Sequence, residues 1–197
     1  MEYSRNNGNK GIDYLVNDDR LDISSLNNKQ IIVVGERHGC SSDENLVRRL
    51  IFGLKPDYVL CEALGSYLLV NRVTKNKHLN LPVKEHYYEG FTKRWIQFSL
   101  EFNVPFAGME YTKWTKEEHD SLSYVESFRI REAHFISMID AFSKSTFGSN
   151  RKIIAICGDT HLRTVVTKEL GPVSPLYVKY NNQPNSVVIR SQKGEIE

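Results

Sequence analysis

Four short apolar runs divide the chain. They cover residues 31–34, 58–61, 104–109 and 153–157, and each is followed directly by a glycine or a glutamate. A continuous apolar run of this length is typical of a strand buried on both faces, as in a parallel sheet. The pattern therefore predicts four buried strands with a polar or flexible residue at the carboxyl end of each.

Apolar residues at helical spacing occupy the segments between these runs. Helices are predicted over about 41–54, 87–102, 116–147 and 162–170, the last one stopped by Gly171 and Pro172. Two further extended runs, 176–180 and 186–191, follow. Strands that alternate with helices predict an α/β fold with a mainly parallel sheet flanked by helices, and the last two runs allow an antiparallel edge near the C-terminus.

The same pattern predicts how the chain is organised. Residues 1–28 are polar and rich in asparagine, which predicts an N-terminal arm packed on the domain, with a short helix allowed near 12–16. Residues 29–191 are predicted to form a single α/β domain with a helical insertion at about 63–102. Residues 192–197 are expected to fray.

Composition narrows the class of protein. The chain has 197 residues, of which 40% are hydrophobic and 25% charged, as in a soluble globular protein rather than a disordered or disulfide-knotted one. With 26 basic and 24 acidic residues, it has no general electrostatic reason to bind nucleic acid or an anionic membrane. No apolar run approaches the ~18 residues of a spanning helix. The three cysteines are sparse and odd in number, which predicts free thiols and a cytoplasmic location.

Acidic residues and histidines follow the predicted strands. In open α/β sheets, sites form beyond the carboxyl ends of the strands, so side chains distant in sequence meet at one edge. In chain order, the residues at these ends are Glu36, His38, Glu62, Glu110, Asp159 and His161. The sequence therefore predicts a site that combines two histidines with up to four carboxylates.

Two of these segments share the form Gly-acid-x-His. They begin at Gly35 and at Gly158, and in each the glycine permits a sharp exit from the strand and close approach of a ligand. Each histidine is expected near the start of the following helix, with its imidazole aimed into the crevice. Asp159 and Glu110, together with the two glycines, are the predicted substrate-binding residues.

The motifs resemble those of erythromycin esterase-type hydrolases over about residues 29–170. Gly-Glu-Arg-His-Gly at 35–39 resembles the first motif of that family, and the strand ending in Glu-Ala at 59–63 resembles the second. Residues 104–110 are similar to the third strand, although the family more often has Asp at the last position.

The later motifs extend the resemblance. Arg131, with Met138 further along the predicted helix, is similar to the family's helix that carries an Arg and a Met. Residues 154–162 resemble the final histidine motif, and they are closer still to the paired Gly-x-x-His of the related TraB and Tiki families. Haem-binding ChaN-type proteins belong to the same broad superfamily.

The resemblance implies hydrolysis of an ester or amide bond in a small-molecule or peptide substrate. His38 is the predicted general base, because an imidazole can take a proton from water at neutral pH. Glu36 or Glu62 would orient that ring, and His161 would polarise the substrate carbonyl or protonate the leaving group. Arg131 could hold a substrate anion or a developing oxyanion. We expect His38, Glu62 and His161 to converge.

Other readings of the same residues remain open. His38, His161 and Glu62, with either Glu36 or Asp159, form a plausible ligand set for Mn or Zn, although no metal is expected to be obligatory. A metal-dependent phosphodiesterase or nuclease would use that set. A third reading is a binding protein that holds haem or another small ligand without turnover.

Cysteines next to the two histidine motifs offer a further nucleophile. Cys40 and Cys157 flank the motifs, and a Cys–His pair is conceivable there. A buried thiol acting as a small core residue is the favoured reading.

Overall fold

A computed structural model describes residues 12–15, 21–37, 41–64, 89–111, 113, 115–144, 151–168 and 171–192. The strands are β1 (Ile12–Leu15), β2 (Ile31–Glu36), β3 (Tyr58–Cys61), β4 (Phe106–Gly108), β5 (Ile153–Gly158) and β6 (Ser186–Gln192). The α-helices are α1 (Ser41–Leu54), α2 (Glu89–Phe102), α3 (Lys116–Ser121), α4 (Tyr124–Ser143) and α5 (Pro175–Asn181). Short 3-10 helices cover Ile23–Leu26, Glu62–Leu64 and Asp159–Leu162.

The strands form one sheet in the order β1-β6-β2-β5-β3-β4, and every neighbouring pair is parallel. The predicted α/β fold with a parallel sheet is confirmed. The antiparallel edge near the C-terminus is wrong, since β6 runs parallel to both β1 and β2. A parallel return needs a crossover connection, and α5 lies between β5 and β6 to provide it.

Two apolar layers cover the two faces of the sheet. Alternate residues of β2 point to opposite faces, so Ile32 and Val34 join one core while Ile31 and Val33 join the other. Helices α1 and α2 contribute to the first core, and α4 and α5 contribute to the second. Because both faces are covered, β2 and β5 are buried along their whole length, as their continuous apolar runs predicted.

The segment predicted as an extended run over 176–180 is helix α5. Ser174 caps it by accepting a hydrogen bond from the Tyr177 N–H at 3.2 Å, and Pro175 occupies the first helical turn. Leu176 and Tyr180, four residues apart, place their side chains in the same core. A short apolar run does not distinguish a strand from one buried helix face, whereas the Ser-Pro start does.

The helix predicted over 162–170 is also wrong. Over 159–168, which the structure describes, only the 3-10 turn Asp159–Leu162 forms, and an isolated antiparallel bridge then joins Thr167 to Gly171. Consecutive β-branched residues disfavour a helix here, and Val165 and Val166 are exposed, so no apolar face would hold one against the domain.

Other boundaries differ from the sequence pattern. The helix predicted over 116–147 is divided into α3 and α4 by a capping box between Ser123 and Glu126, and residues 145–147 lie outside the described residues.

At the N-terminal side, the structure has strand β1 where the sequence allowed a short helix near 12–16, so part of the predicted arm belongs to the sheet. Strand β6 extends to Gln192, and residues 193–197 lie outside the described part. The middle of the predicted insertion, 65–88, lies outside it as well. No helix in the part of the chain that the structure describes is both long and apolar enough to cross a membrane.

Gly35 brings the end of β2 against the turn that follows β5. A Cβ atom at this position would lie 2.5 Å from Asp159 Oδ1, 3.0 Å from Leu162 Cδ1 and 3.2 Å from Asp159 Cα. Gly35→Ala is therefore expected to lower the free energy of unfolding by about 1–3 kcal/mol, the usual cost of overpacking. Urea unfolding measures this as a lower midpoint at constant m-value. An unchanged midpoint would contradict the close approach.

Candidate functional site

The carboxyl ends of four neighbouring strands meet at one edge of the sheet. Glu36 at the end of β2 lies opposite Gly158 in β5, and Cys61 at the end of β3 lies opposite Ile156. Cys61 also pairs with Gly108, the last residue of β4. The residues that follow these strands, among them Glu62, Glu110, Asp159 and His161, therefore reach the same edge, as the topology argument predicted.

An arginine from helix α4 joins the two glutamates at this edge. Arg131 Nε donates a hydrogen bond to Glu110 Oε1 at 2.8 Å, and Nη2 donates to Glu110 Oε2 at 2.5 Å. The same Nη2 also donates to Glu62 Oε1. The side chain of Glu62 is 8% exposed, whereas those of Arg131 and Glu110 are 23% and 21% exposed. Solvent therefore reaches the Arg131–Glu110 pair, with Glu62 behind it.

Both glycines of the repeated motif contact acidic side chains. The Gly158 N–H donates to Glu62 Oε2 at 2.7 Å, so the second oxygen of this buried carboxylate is satisfied by the backbone of β5. Gly35 lies against Asp159. The close approaches that the glycines permit are thus to these two side chains, and their role in binding substrate stays a prediction.

His161 is enclosed rather than aimed into an open crevice. It is 2% exposed, and its ring stacks on Phe128 with centroids 4.4 Å apart and meets the ring of Phe135 at 5.0 Å. Its Nε2 lies 3.6 Å from Glu62 Oε1, and its Nδ1 lies 3.4 Å from Glu132 Oε1. Glu62 and His161 converge as expected, whereas His38 lies outside the described residues.

The charges of this cluster shift the protonation of its members. Burial alone would raise the pKa of Glu62, but the close contact with His161, the charge of Arg131 and the Gly158 N–H together lower it to about 2. Burial alone would lower the pKa of His161, yet its close contacts with the carboxylates of Glu132 and Glu62 raise it. The pair therefore favours carboxylate and imidazolium.

The sequence argument missed two charged residues of the site. Glu132 is 0% exposed and receives hydrogen bonds from Arg163, which is itself buried. A signal existed, because Glu132 occupies the buried stripe of α4 between Phe128 and Phe135. A carboxylate at an apolar position of a helix indicates a buried partner of opposite charge.

Asp43 ties down the chain that leaves β2. The Arg37 N–H donates to Asp43 Oδ2 at 2.8 Å and Arg37 Nε to the same oxygen at 3.1 Å, while Asp43 itself is buried in the first turn of α1. Glu36, immediately before, is also buried. The two described residues that precede His38 in the first motif are thus held in place, Glu36 by burial and Arg37 by Asp43.

Cys157 belongs to the apolar core. Burial, together with the nearby carboxylates of Glu62 and Asp159, raises the pKa of its thiol well above the ordinary value. The thiolate that a nucleophile requires is therefore disfavoured. This confirms the core reading for Cys157, while Cys40 lies outside the described residues.

The described part of the edge does not form a ready metal site. Arg131 already bridges Glu62 and Glu110, so an ion on these oxygens would have to displace the guanidinium. Within the described residues, no group of three or more His, Cys, Asp or Glu side chains is arranged to hold an ion. His38, a member of the predicted ligand set, is not among them.

Comparisons of the chain with protein-family models, with curated proteins and with solved structures found no match. The resemblance to erythromycin esterase-type hydrolases accordingly rests on the motifs, and the site is argued from the geometry.

The Glu62–His161 pair is expected to give stability a defined pH dependence. The pKa of Glu62 falls from 4.5 to about 2 on folding, so its contribution is complete above pH 4.5 and is lost as pH falls toward 2. The pKa of His161 is raised from 6.5, so its contribution is complete below pH 6.5 and is lost as pH rises through the higher folded value.

The pair therefore contributes most between about pH 4.5 and pH 6.5. This expectation is tested by measuring how guanidinium chloride unfolds the wild type and Glu62→Gln across pH 2.5–8. The difference in free energy of unfolding should be largest in that window and should shrink toward low pH. A difference that grows as the pH falls below 4 would contradict the ion pair.

Proposed function

We propose that the protein is a hydrolase that activates water for attack on the carbonyl of a small ester or amide, in a free molecule or a peptide. The observation that carries the proposal is the network in which Arg131 bridges Glu62 and Glu110, with His161 against Glu62. It lies beyond the carboxyl ends of β3, β4 and β5, where parallel sheets place their sites.

The cost of burying charge supports a chemical role for this network. Taking charged groups out of water costs several kcal/mol per ion, and apolar side chains of similar volume commonly fold as well or better. Ionisable groups with strongly shifted pKa values concentrate at functional sites for that reason. Glu62, with its pKa of about 2, is such a group, and the pKa of His161 beside it is raised.

The shifted protonation also divides the roles. A carboxylate with a pKa of about 2 holds a proton too weakly to take one from water at neutral pH, so Glu62 acts as a fixed negative charge that orients its neighbours. We assign the role of general base to His38, the histidine of the first motif, as the resemblance implies, and to Glu36 the role of orienting that imidazole.

Substrate meets the network at its solvent-reachable side. Arg131 and Glu110 are partly exposed there, and we assign to the guanidinium the stabilisation of a developing oxyanion. His161 is too enclosed to touch substrate in this arrangement, so we assign it the charge that balances Glu62 rather than protonation of the leaving group. We assign the remaining substrate contacts to Asp159 and to the two motif glycines.

A panel of chromogenic esters and amides tests the proposal, with wild type, His38→Ala and Glu62→Gln. A positioned base contributes about 10²–10⁴-fold, so kcat/KM of the accepted substrate should fall at least about 100-fold in His38→Ala. A similar fall is expected in Glu62→Gln. Glu101→Gln is the matched control, because this exposed carboxylate on α2 pairs with Arg48 away from the site. Its kcat/KM should equal that of the wild type.

Two outcomes would replace the proposal. Stoichiometric metal by elemental analysis, lost in both His38→Ala and His161→Ala, together with strict metal dependence on phosphodiester substrates, would establish the metal-dependent reading. Tight binding of haem or another ligand with no turnover of any panel member would establish a binding protein. Turnover that neither His38→Ala nor Glu62→Gln reduces would remove this site from the reaction.

A further inference from the structure

The side of the His161 ring that faces away from Glu62 contacts a second buried carboxylate. Glu132 is completely buried in α4, and its Oε1 lies 3.4 Å from His161 Nδ1, a close charged contact that falls short of a well-formed hydrogen bond. The same carboxylate accepts hydrogen bonds from Arg163 Nη1 and, at 3.4 Å, from Arg163 Nη2. The imidazole of His161 therefore lies between two glutamates that come from different elements.

Arg163 is itself held in place. Its Nε donates to the Pro172 carbonyl at 2.8 Å, and its guanidinium carbon lies 5.6 Å from the centroid of the Phe128 ring. The ring of Phe128 also stacks on His161. These contacts hold the buried guanidinium beside Glu132, where it neutralises the charge of that carboxylate.

The backbone of His161 is fixed as well. Its carbonyl accepts a hydrogen bond from Ser174 Oγ at 2.5 Å, and the Ser174 N–H donates to the Arg163 carbonyl at 3.0 Å. Ser174 also caps α5. The position of the ring is thus set by α4 on one side and by the start of α5 on the other.

We propose that Glu132, held by Arg163, is the positioning residue of the site: it accepts the Nδ1 proton of His161 and so keeps Nε2 directed at Glu62. A histidine whose Nδ1–H is held by a carboxylate has one tautomer and one ring orientation. His161 then exchanges a proton through Nε2 alone. The charged groups that face its ring are Glu62, Glu132 and Arg131. The catalytic part of this inference rests on the proposed function, whereas the tautomer does not.

The tautomer is measurable in the full chain without substrate. Long-range ¹H–¹⁵N correlation spectra of protein labelled at histidine nitrogen distinguish Nδ1 from Nε2 and show which of them is protonated. An imidazolium carries a proton on both nitrogens, so the tautomer is revealed as the pH rises through the pKa of His161: we expect Nε2 to lose its proton and Nδ1 to keep its own for as long as the protein is folded. An unprotonated Nδ1 at any pH at which the protein is folded would overturn the proposal without recourse to a variant.

Substitutions of Glu132 then test whether this residue is what keeps Nδ1 of His161 protonated. Glu132→Gln should shift the Nδ1 resonance and allow both tautomers, and Glu132→Asp, which keeps the charge, should restore the Nδ1-protonated form in part. Glu126→Gln is the matched control, because Glu126 is an exposed carboxylate on the same helix, and it should leave the signals of His161 unchanged. If Glu132→Gln does not fold, the wild-type and Glu132→Asp spectra still decide.

Kinetics separate this proposal from the proposed function. With an accepted substrate, Glu132→Gln should lower kcat by about 10–100-fold at nearly constant KM, as loss of a partner that orients a functional histidine does. Spectra as expected with no turnover of any substrate would leave Glu132 in its role and reject the hydrolase. If His38→Ala reduces turnover while Glu132→Gln leaves both the His161 signals and kcat unchanged, the hydrolase is supported and the positioning role of Glu132 is rejected.

Discussion

The bridge that Arg131 forms between Glu62 and Glu110 is the interaction on which the edge of the sheet depends. Two carboxylates follow neighbouring strands and would repel one another at this edge if nothing lay between them. A guanidinium is suited to this position, because its planar fork donates to both groups at once. Helix α4 is thereby attached to the ends of β3 and β4 by charge, in addition to its apolar contacts with the second core.

The cluster is balanced in charge when His161 is protonated. The three carboxylates Glu62, Glu110 and Glu132 face the three cations Arg131, Arg163 and His161. Balance of this kind makes burial tolerable, since removing one partner from a buried set leaves an uncompensated charge behind. It also makes the members dependent on one another, so a change in the protonation of one group is felt by the rest.

The four central strands and their meeting edge could be predicted from the sequence, because apolar runs identify buried strands and parallel topology brings their ends together. Glu62, Glu110 and His161 were found in this way. Glu132 and Arg163 were not, since their role depends on which face of α4 is buried and on where the chain turns after the last 3-10 helix. Helix α5 was missed for a related reason: a run of five residues, four of them apolar or aromatic, fits a strand as well as a buried helix face, and the signal lay in the preceding Ser174 and Pro175.

Strand β1 has a consequence for how the molecule is made. Among the described strands it comes first along the chain, yet it pairs with β6, the last of them, so that Ile12 lies in register with Ile189. Strand β6 also separates β1 from β2. During synthesis on the ribosome, β1 emerges early but can join the sheet only after nearly the whole chain has followed. Until then, the apolar β2 has an open edge of the kind that recruits strands from other chains. Nascent chains that stop short of β6 are therefore the form of this protein most prone to aggregate.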